Sequence, residues 1–540
     1  MTSNAVLSPQ PPVPPTDPAP TLSPRRYGLF AALAGVASAL LTLAVAEVLA
    51  LLFGGSGEPV LAVGSLIIDL VPAGFKTLVI DLFGTGDKLV LGLALGLLIL
   101  VLAAAVGLLE ARRRPLGMVL LGLVAAIAIF AVVTRAEGGP VDGIPTAAGA
   151  IGGMLLLRSL VNRLDAWRDV PPRRASAPVS QSKQYERRAF LNMLVIAGVA
   201  SAVVGTGARM LGAAQTAVRD LRDAIRLPAP ASAAPVIPAS AELDVAGISL
   251  FVTPNETFYR IDTALQVPSV DPTTWKLRIT GMVEEEVEIS YNDLLALPLQ
   301  EDLVTLTCVS NEVGGDLIGN ALWLGYPIRE LLAKAKPTAG ADMVLSTSVD
   351  GFTASTPLPV LQDDKLDALL AVGMNGQPLP IEHGFPVRMV VPGLYGYVSA
   401  TKWVTELKVT TFAQDQGYWT SRGWTAKGPI KLSSRIDVPA AGYAVKAGTV
   451  AVAGVAWAQH VGIKRVQVRI DSGAWQDATL ATTVSVDSWL QWSFAWDATA
   501  GSHEIQVRST DAAGLVQTAD EAPPAPDGSS GYHTIQVQVN

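Results

Sequence analysis

The sequence predicts three parts of different fold class: N-terminal all-α transmembrane helices, an α+β domain and a C-terminal all-β sandwich. Half of the 540 residues are hydrophobic and only 16% are charged, and the mean hydropathy of +0.39 is high for a water-soluble protein. Long apolar runs are confined to residues 28–211. Beyond residue 445, apolar and polar residues alternate with a period of two, which indicates half-buried β-strands.

The N-terminal part is expected to be a disordered tail followed by a membrane domain. Residues 1–24 are rich in Pro, Ser and Thr and cannot form a core. Residues 25–211 are expected to form the membrane domain, whose apolar runs approach the length of about 20 residues that crosses a bilayer. The five expected transmembrane helices are 28–53, 88–110, 116–134, 145–161 and 190–211. The run 59–82 contains Asp69, Lys76 and Asp81, so we expect it to be interfacial or re-entrant, and whether it crosses stays open.

The arginines predict the orientation of this membrane domain. Arg25 and Arg26 precede the first span, Arg112–Arg114 separate the second from the third, and Arg158–Arg188 separate the fourth from the fifth. With five crossings these groups fall on one side, which the positive-inside rule makes cytoplasmic. The residues after the last span are then extracytoplasmic. The pair Arg187-Arg188 resembles a twin-arginine export signal, or it marks the cytoplasmic end of a helix.

Composition excludes several classes of function. The net charge is −8, and residues 246–540 contain no Lys/Arg cluster, so nucleic acid is not an expected partner. The four histidines (His383, His460, His503 and His533) all follow the expected spans, so the membrane helices lack the paired histidines that hold haem. Cys308 is the only cysteine, and one cysteine cannot hold an iron–sulfur cluster. We therefore expect no haem and no iron–sulfur cluster.

The part that follows the membrane domain is expected to contain a linker and two domains. Residues 212–245 are the expected linker, with a Pro/Ala-rich stretch at 227–240. Residues 246–435 mix strand-like runs such as 275–280 with helical runs such as 328–334, which indicates an α+β domain. Residues 436–540 read as a sandwich of immunoglobulin size. Its alternating Leu490, Trp492, Phe494 and Trp496 are expected to lie in the core.

Cys308 has two interpretations when it is considered alone. Free cysteine is among the most buried residue types, so it could be a small core residue at the end of a strand. It could also be a thiolate ligand of a single metal whose other ligands come from a cofactor, since a soft thiolate suits such a centre. The surrounding blocks of sequence favour the second interpretation.

Four blocks carry a resemblance to a known family. They are Phe251–Asp262; the Cys-x-x-Asn pattern Cys308–Asn311 followed by Asn320–Ile328; Asp350–Pro357; and His383–Gly393 continued by Tyr395–Trp403. Their order resembles the sulfite oxidase family of molybdopterin-dependent oxidoreductases, and the membrane-anchored layout resembles its actinobacterial-type members. The resemblance implies a sulfite-oxidase-like molybdopterin-binding domain over 246–435 and an immunoglobulin-like dimerisation domain over 436–540.

The resemblance also implies the residues of a molybdenum site. Cys308 would be the protein ligand of the metal. The pterin ends in a phosphate, which calls for Arg and Lys charge and for hydrogen-bond donors. The cofactor-binding positions implied are Asn255, Tyr259, Arg260, Cys308, His383, Arg388, Ser399, Ala400 and Lys402. Electrons would pass through a separate partner such as a cytochrome, a quinone-linked protein or a flavoprotein, and the sandwich would mediate a homodimer.

The sequence departs from the sulfite-oxidising members of the family at the expected catalytic positions, Cys308, Asn311, Glu312 and Phe352. Those members have arginines after Cys-x-x-Asn and in the first block, where this chain has Glu312 and Val313, and Thr253 or Pro254. Phe352 stands where they have a tyrosine and lacks the hydroxyl. Lys431 and Arg422 could restore positive charge. We therefore expect two-electron oxygen-atom transfer on a substrate other than sulfite.

Three alternatives stay open at this point. The chain could reduce sulfoxides such as oxidised methionine in exported proteins, or it could be a sulfite dehydrogenase of the same family. From a different class, it could be a membrane-tethered immunoglobulin-like binding module with a degenerate cofactor domain.

Overall fold

The computed structural model describes residues 22–52, 59–70, 87–134, 140–168, 187–199, 217–264 and 267–540. The chain divides into two compact units, Met1–Leu211 and Gly212–Asn540. The first unit contains the helices α1 (Pro24–Leu52), α2 (Pro59–Leu70), α3 (Asp87–Arg112), α4 (Leu116–Val133), α5 (Gly143–Arg168) and α6 (187–199).

Among the residues that the structure describes, four of these helices are long and apolar enough to cross a membrane. They are Pro24–Ala50, Val90–Arg112, Leu116–Val133 and Gly143–Arg168. They agree with the first four expected spans and are compatible with membrane anchoring. Of the fifth expected span, 190–211, residues 190–199 are helical and the rest lie outside the described residues. Of the run 59–82, residues 59–70 are helical and the rest lie outside them too. Whether either segment crosses stays a prediction.

Small residues let the membrane helices approach each other closely. A Cβ atom added to Gly35 of α1 would lie 2.0 Å from the carbonyl oxygen of Ala103 in α3, and one added to Gly149 of α5 would lie 2.3 Å from the carbonyl oxygen of Thr42 in α1. Such backbone contact is typical of helix packing in lipid, where small residues replace large apolar ones at the interface.

The second unit begins with the helix α7 (217–224) and continues with the α+β domain. One sheet has the order β2-β1-β10-β5-β6, and β1 and β10 are parallel. Its strands are β1 (Lys276–Gly281), β2 (Val287–Ser290), β5 (Met343–Ser348), β6 (Thr353–Pro357) and β10 (Val404–Thr410). The other sheet has the order β3-β4-β7-β8, with β9 paired to β7. It consists of β3 (Gln300–Thr307), β4 (Ile318–Pro327), β7 (Leu369–Met374), β8 (Gln377–Pro378) and β9 (Arg388–Val390).

Three short helices complete this domain: α8 (Tyr291–Leu295), α9 (Ile328–Ala335) and α10 (Leu358–Gln362). The expected helical run 328–334 forms α9, and the expected strand 275–280 forms β1, so the α+β prediction is confirmed. Strands β3 and β4 are antiparallel with Thr307 opposite Ile318. Cys308 to Leu317 is therefore the loop between two adjacent strands, and Cys308 stands at its first position.

The C-terminal domain is a sandwich of two sheets, as expected. One sheet has the order β11-β13-β17-β16, from β11 (Ser433–Val438), β13 (Gly448–Trp457), β16 (Thr479–Leu480) and β17 (Leu490–Ala498). The other has the order β12-β19-β18-β14-β15, from β12 (Ala444–Val445), β14 (Ile463–Ile470), β15 (Gln476–Asp477), β18 (Gly501–Asp511) and β19 (His533–Val539). Trp492 and Trp496 are buried in its core, and Phe494 packs against it. Strand β11 crosses the expected domain boundary between residues 435 and 436.

The α+β domain and the sandwich share a hydrophobic cluster within the second unit. Phe251, Leu303 and Ile318 come from the α+β domain, and they pack with Val455, Trp457 and Trp489 of the sandwich. Leu303 and Ile318 belong to β3 and β4, the two strands that carry the Cys308 loop. The sandwich is therefore packed against the base of that loop.

Candidate active site

The loop that carries Cys308 is held by its own hydrogen bonds. The amide of Cys308 donates to the carbonyl oxygen of Leu317 (2.9 Å), and the amide of Asn311 donates to the carbonyl oxygen of Cys308 (3.1 Å). The Asn311 side chain accepts from the amide of Leu317 at 2.9 Å. Asn311 therefore closes the loop across its two ends and fixes the backbone on which the thiol stands.

Residues of the sandwich hold the same loop from outside. Ser529 donates its hydroxyl to the carbonyl oxygen of Asn311 (2.7 Å), and the Arg435 guanidinium donates to the carbonyl oxygen of Gly315 (2.8 Å). A Cβ atom at Gly314 would lie 2.2 Å from Nε2 of His533, so only glycine permits this approach. The backbone around Cys308 is thus fixed by both domains.

The Cys308 side chain lines a cavity in the α+β domain. Burial raises the pKa of the Cys308 thiol above its ordinary value, more than hydrogen bonds from Ser310 lower it. Seven of the residues expected in the site line this cavity: Tyr259, Cys308, Phe352, His383, Arg388, Ala400 and Lys402.

Polar side chains form one side of the cavity, which we call the polar wall: Tyr259, Asp262, His383, Arg388 and Lys402. Arg388 is 6% exposed. Its guanidinium donates to the carbonyl oxygens of His383 (3.1 Å), Met389 (3.3 Å) and Ala400 (3.4 Å) and lies over the Trp323 ring at 5.1 Å. Burial lowers its pKa to about 10, so the group remains charged at neutral pH.

Lys402 is the second buried cation of the polar wall. Its Nζ atom donates to the Asp262 carboxylate at 2.9 Å and to the carbonyl oxygen of Glu382 at 3.1 Å. Burial lowers the pKa of Lys402 to about 8, although the charge of Asp262 opposes this shift. Asp262 lies within the first block, but no feature of its local sequence distinguishes it, because its role depends on a contact with a residue 140 positions away.

His383 is a neutral member of the polar wall. Nε2 is 3.0 Å from the carbonyl oxygen of Asn255, to which it donates. The ring packs edge-on against Phe258 with centroids 5.6 Å apart, and Phe258 stacks on Tyr259 at 5.2 Å. Burial, with the neighbouring Arg388 charge, lowers the pKa of His383 to about 4. Burial also raises the pKa of the Tyr259 hydroxyl, which stays protonated.

The structure places five expected site residues away from the cavity lining. The Asn255 side chain accepts from Asn375 (2.8 Å), Ser399 donates to the carbonyl oxygens of Leu394 and Tyr395 (both 3.0 Å), and Arg260 pairs with Asp262 (3.0 Å) while remaining half-exposed. Asn311 closes the loop, as described above. Glu312 is exposed and lines a different cleft with residues 521–524 and 529–534. Glu312, an expected catalytic position, therefore lies outside the lining of the cavity that contains Cys308.

Lys431 and Arg422 do not restore positive charge to the cavity either. Lys431 donates to the carbonyl oxygen of Gly528 (2.6 Å) and pairs with Asp527 (3.0 Å). Arg422 donates to the carbonyl oxygen of Tyr418 (2.8 Å), and its guanidinium lies 3.6 Å from the centre of the Tyr418 ring. Neither residue is part of the lining.

Aromatic rings form the side of the cavity that the sequence analysis missed, which we call the aromatic wall: Phe352, Tyr397, Tyr418, Trp419 and Trp424. All except Tyr418 line the cavity. Three of the five lie in the loop between β10 and β11, which joins the two domains. Their spacing, two adjacent aromatics and a third within the same loop, was the available signal, because loops carry a disproportionate share of binding and catalytic residues.

Comparison with known proteins defines the class of this fold and site. Residues 264–419 match the oxidoreductase molybdopterin binding domain, and residues 433–507 match the bacterial Ig domain. The first match includes Cys308, His383, Arg388 and Lys402, while Trp424 falls between the two. The chain is therefore an oxidoreductase with a molybdopterin-binding domain and a C-terminal immunoglobulin-like domain.

The relatives identify the family. Mitochondrial sulfite oxidase of Mus musculus is 29% identical over 341 residues, which cover 54% of this chain and 62% of that protein. Sulfite oxidase of Rattus norvegicus is 31% identical, over 43% of this chain and 49% of that protein. The uncharacterized oxidoreductase YuiH of Bacillus subtilis (strain 168) is 34% identical over 160 residues, which cover 29% of this chain and 76% of that protein. The chain belongs to the sulfite oxidase family of molybdopterin-dependent oxidoreductases, although it spans only 49–62% of the length of these mammalian relatives.

Among solved structures, the sulfane dehydrogenase SoxCD from Paracoccus pantotrophus is similar, with a TM-score of 0.47 and 24% identity. The match covers 53% of this chain and 81% of that chain.

Proposed function

We propose that this chain is a membrane-anchored molybdenum enzyme that performs two-electron oxygen-atom transfer in an extracytoplasmic domain, with Cys308 as the protein ligand of the metal. One observation carries the proposal. The only thiol of the chain and a buried guanidinium without a carboxylate partner among the described residues line the same cavity.

The buried guanidinium of Arg388 is evidence that the cavity binds an anionic ligand. A buried charge is costly unless it is paired, and the guanidinium bonds only to backbone carbonyl oxygens within the described part of the chain. The phosphate of molybdopterin would supply the missing negative charge through charge-assisted hydrogen bonds. The donor set therefore fits this cofactor better than it fits an empty structural cavity.

The burial of Cys308 supports its proposed role as a ligand of the metal. Because burial raises its pKa, the free thiol stays protonated at neutral pH and is a poor nucleophile. Coordination by a metal deprotonates a thiol outright, so this position favours a ligand role over a reactive one. Molybdenum held by molybdopterin supplies the two-electron chemistry, and this chain's residues bind and orient the cofactor.

The remaining residues of the polar wall would position the cofactor and balance its negative charge. Lys402 adds a second positive charge beside Arg388, and Asp262 holds its ammonium group in place. Neutral His383 orients the Asn255 backbone through its Nε2 hydrogen bond and leaves the net charge of this wall positive. Tyr259 keeps its proton and can donate a hydrogen bond into the cavity.

We propose that the substrate is a compound other than sulfite. Among the described residues that line the cavity, the cations are Arg388 and Lys402, and both lie on the polar wall. Phe352 faces the cavity without a hydroxyl group. A dianion would therefore compete with the cofactor for the same positive charges, since no guanidinium of the lining lies beside the aromatic wall.

Electron transfer and location complete the proposal. One cysteine cannot supply the ligands of an iron–sulfur cluster, so a separate electron-transfer partner such as a cytochrome, a quinone-linked protein or a flavoprotein would exchange electrons with the site. The four apolar helices support anchoring in a membrane. The arginine groups between the spans support a cytoplasmic side opposite to the catalytic domain.

Metal and pterin analysis tests the proposal. The full chain is produced in a host that synthesises molybdopterin and is purified in detergent. We expect stoichiometric molybdenum, fluorescent pterin after oxidative release, and a sulfur neighbour of molybdenum in X-ray absorption that is lost in Cys308→Ser. Cys308→Ser should unfold at a similar temperature to the wild type and lack turnover with every oxygen-atom donor or acceptor tested.

The matched control is Ser310→Ala, which changes the neighbouring residue without removing the thiol and should keep the sulfur neighbour. Folded, active protein without molybdenum would refute the proposal. A Cys308→Ser variant with an unchanged sulfur shell would refute the ligand role alone.

A further inference from the structure

The five rings of the aromatic wall form a continuous chain of contacts. Phe352 lies 5.9 Å from Tyr418, Tyr418 lies 5.2 Å from Trp419, Trp419 lies 6.3 Å from Trp424, and Trp424 lies 5.9 Å from Tyr397, all between ring centroids. These distances are within the range of interacting aromatic pairs, about 4.5–7 Å. The rings therefore form one connected surface.

This surface packs against the protein on one side and faces the cavity on the other. Trp419 and Trp424 pack against the main core of the α+β domain, yet both are only half-buried and both line the cavity. The Tyr397 hydroxyl donates to the carbonyl oxygen of Thr425 at 2.7 Å, which ties its ring to the loop that carries Trp424. The wall is thus held in place by contacts behind it.

Cys308 lines the same cavity as both walls, and the backbone beside it lies close to members of each. Gly396 precedes Tyr397, and a Cβ atom at this glycine would lie 3.9 Å from the carbonyl oxygen of Thr307 and 4.0 Å from the Tyr259 hydroxyl oxygen. Thr307 is the residue before Cys308, and Tyr259 belongs to the polar wall. A group that reacts near the thiol would therefore share the cavity with both walls.

The charged lining residue beside the rings is a carboxylate, whereas the Arg422 guanidinium, 3.6 Å from the centre of the Tyr418 ring, lies outside the lining. Asp350 lines the cavity two residues before Phe352, and its carboxylate accepts from the Phe352 amide (3.2 Å) and from the Thr263 hydroxyl (3.4 Å). Like charges repel, so a carboxylate at this position disfavours a small oxyanion near the aromatic wall. Aromatic faces instead favour uncharged rings and apolar groups.

We propose that the aromatic wall is the substrate subsite and that it binds an uncharged organic compound with a planar or apolar body, for which an aryl sulfoxide serves as the probe, rather than an inorganic oxyanion. This inference rests on the proposed function, because the polar wall must be filled by the cofactor for the aromatic wall to face the substrate. The reacting group would lie near Cys308, and the body would pack against Trp419 and Trp424.

Two probes that share a reacting group test this inference. Methyl phenyl sulfoxide and dimethyl sulfoxide differ only in the ring, and their dissociation constants are measured by calorimetry on the purified holoenzyme of known molybdenum content. We expect methyl phenyl sulfoxide to bind at least about tenfold more tightly, since one aromatic contact with the burial that accompanies it reaches this size. Sulfite at the same concentration should not displace it.

Substitutions distinguish a preference that depends on the aromatic wall from a general preference of the protein for apolar ligands. Trp424→Leu should reduce the preference for the ring to about threefold or less, and Trp424→Phe should retain most of it. Trp475→Leu removes a tryptophan of the sandwich that packs on Tyr532 and does not line the cavity, so the preference should be unchanged. Trp419→Leu serves the same purpose if Trp424→Leu does not fold.

Different results would refute the substrate subsite and the proposed molybdenum enzyme. Molybdenum-loaded protein that binds both sulfoxides equally, or that binds sulfite in competition with them, would refute the subsite and leave the molybdenum site intact. Ring-selective binding that depends on Trp424 in protein that is active without molybdenum would support the wall and refute the proposed function. A preference for the ring that Trp424→Leu and Trp475→Leu reduce equally would also refute the subsite.

Discussion

The two walls of the cavity are built on different principles. The polar wall contains two buried cations, one buried carboxylate and a neutral histidine, held by hydrogen bonds to backbone atoms of several segments. The aromatic wall depends on contacts between rings, and most of its members lie on one loop. The polar wall is suited to one fixed ligand, whereas the aromatic wall can change with the sequence of a single loop.

This difference has a consequence for specificity within the family. Residues of the polar wall lie within the match to the molybdopterin binding domain or shortly before it, but Trp424 lies between that match and the match to the Ig domain. Loops between domains vary more freely than the elements that they join. We therefore expect cofactor binding to be shared with the relatives and the contribution of Trp424 to substrate choice to be particular to this chain.

Removal of Arg388 should have the largest effect on the polar wall. In Arg388→Met the buried guanidinium is replaced by an apolar side chain, and we expect the pterin content of purified protein to fall by more than about tenfold, since a charge-assisted hydrogen bond to phosphate contributes about 1.5–3 kcal/mol. The cofactor-free variant should be no less stable than the cofactor-free wild type, because the variant no longer buries an unpaired charge.

Pterin release and thermal unfolding measure both effects. Arg329→Gln is the matched control, because Arg329 belongs to the same domain and pairs with Asp367 at 3.0 Å without lining the cavity. Full pterin content in Arg388→Met would show that the guanidinium has a purely structural role.

The architecture could be predicted from periodicity because each part has a distinct physical signature. Long apolar runs predicted the four helices that could span a membrane among the described residues, and the period-two alternation beyond residue 445 predicted the strands of the sandwich, such as β14. The boundary at 435/436 was less predictable. Strand β11 begins at Ser433 and pairs with β13, a partner that follows it in sequence, so local composition does not define its start.

The site could be predicted in part because the four sequence blocks resemble the sulfite oxidase family, and that resemblance implied which residues bind the cofactor. Arg388, Lys402 and His383, which it implied, line the cavity. Ser399 was expected there as well, but its hydroxyl is used within its own turn. Trp419 and Trp424 were missed because an aromatic side chain usually belongs to the hydrophobic core. Sequence does not show that one face of each ring lines a cavity while the other packs against the core.

A second prediction tests the neutral state of His383. Its pKa in the folded protein is about 4, below the ordinary value of 6.5, so between these values the unfolded chain binds a proton that the folded chain does not. The free energy of unfolding of cofactor-free protein should then fall as the pH is lowered from 6.5 towards 4, by up to about 1.4 kcal/mol per pH unit from this residue. Above pH 6.5 the residue makes no contribution.

His383→Gln should remove this part of the pH dependence, as measured by unfolding at a series of pH values. His503 is the matched control with the opposite sign. It is hydrogen-bonded to Asp471, which raises its pKa, so its contribution is present at low pH and is lost as the pH rises. A steeper acid dependence in His383→Gln than in the wild type would contradict the assignment.

The smallest effect is expected outside the cavity, and it separates two carboxylates that sequence alone cannot distinguish. Glu312 follows the Cys-x-x-Asn pattern but lines a different cleft, whereas Asp350 lines the cavity beside Phe352. Glu312→Gln should leave the dissociation constant of methyl phenyl sulfoxide and the exclusion of sulfite unchanged within about twofold, because an exposed charge is screened by solvent. Asp350→Asn keeps an oxygen for the Phe352 amide and removes the charge, so sulfite should bind about three- to tenfold more tightly. If Glu312→Gln relieved the exclusion of sulfite and Asp350→Asn did not, the charge that selects the substrate would lie on the Cys308 loop rather than beside the aromatic wall.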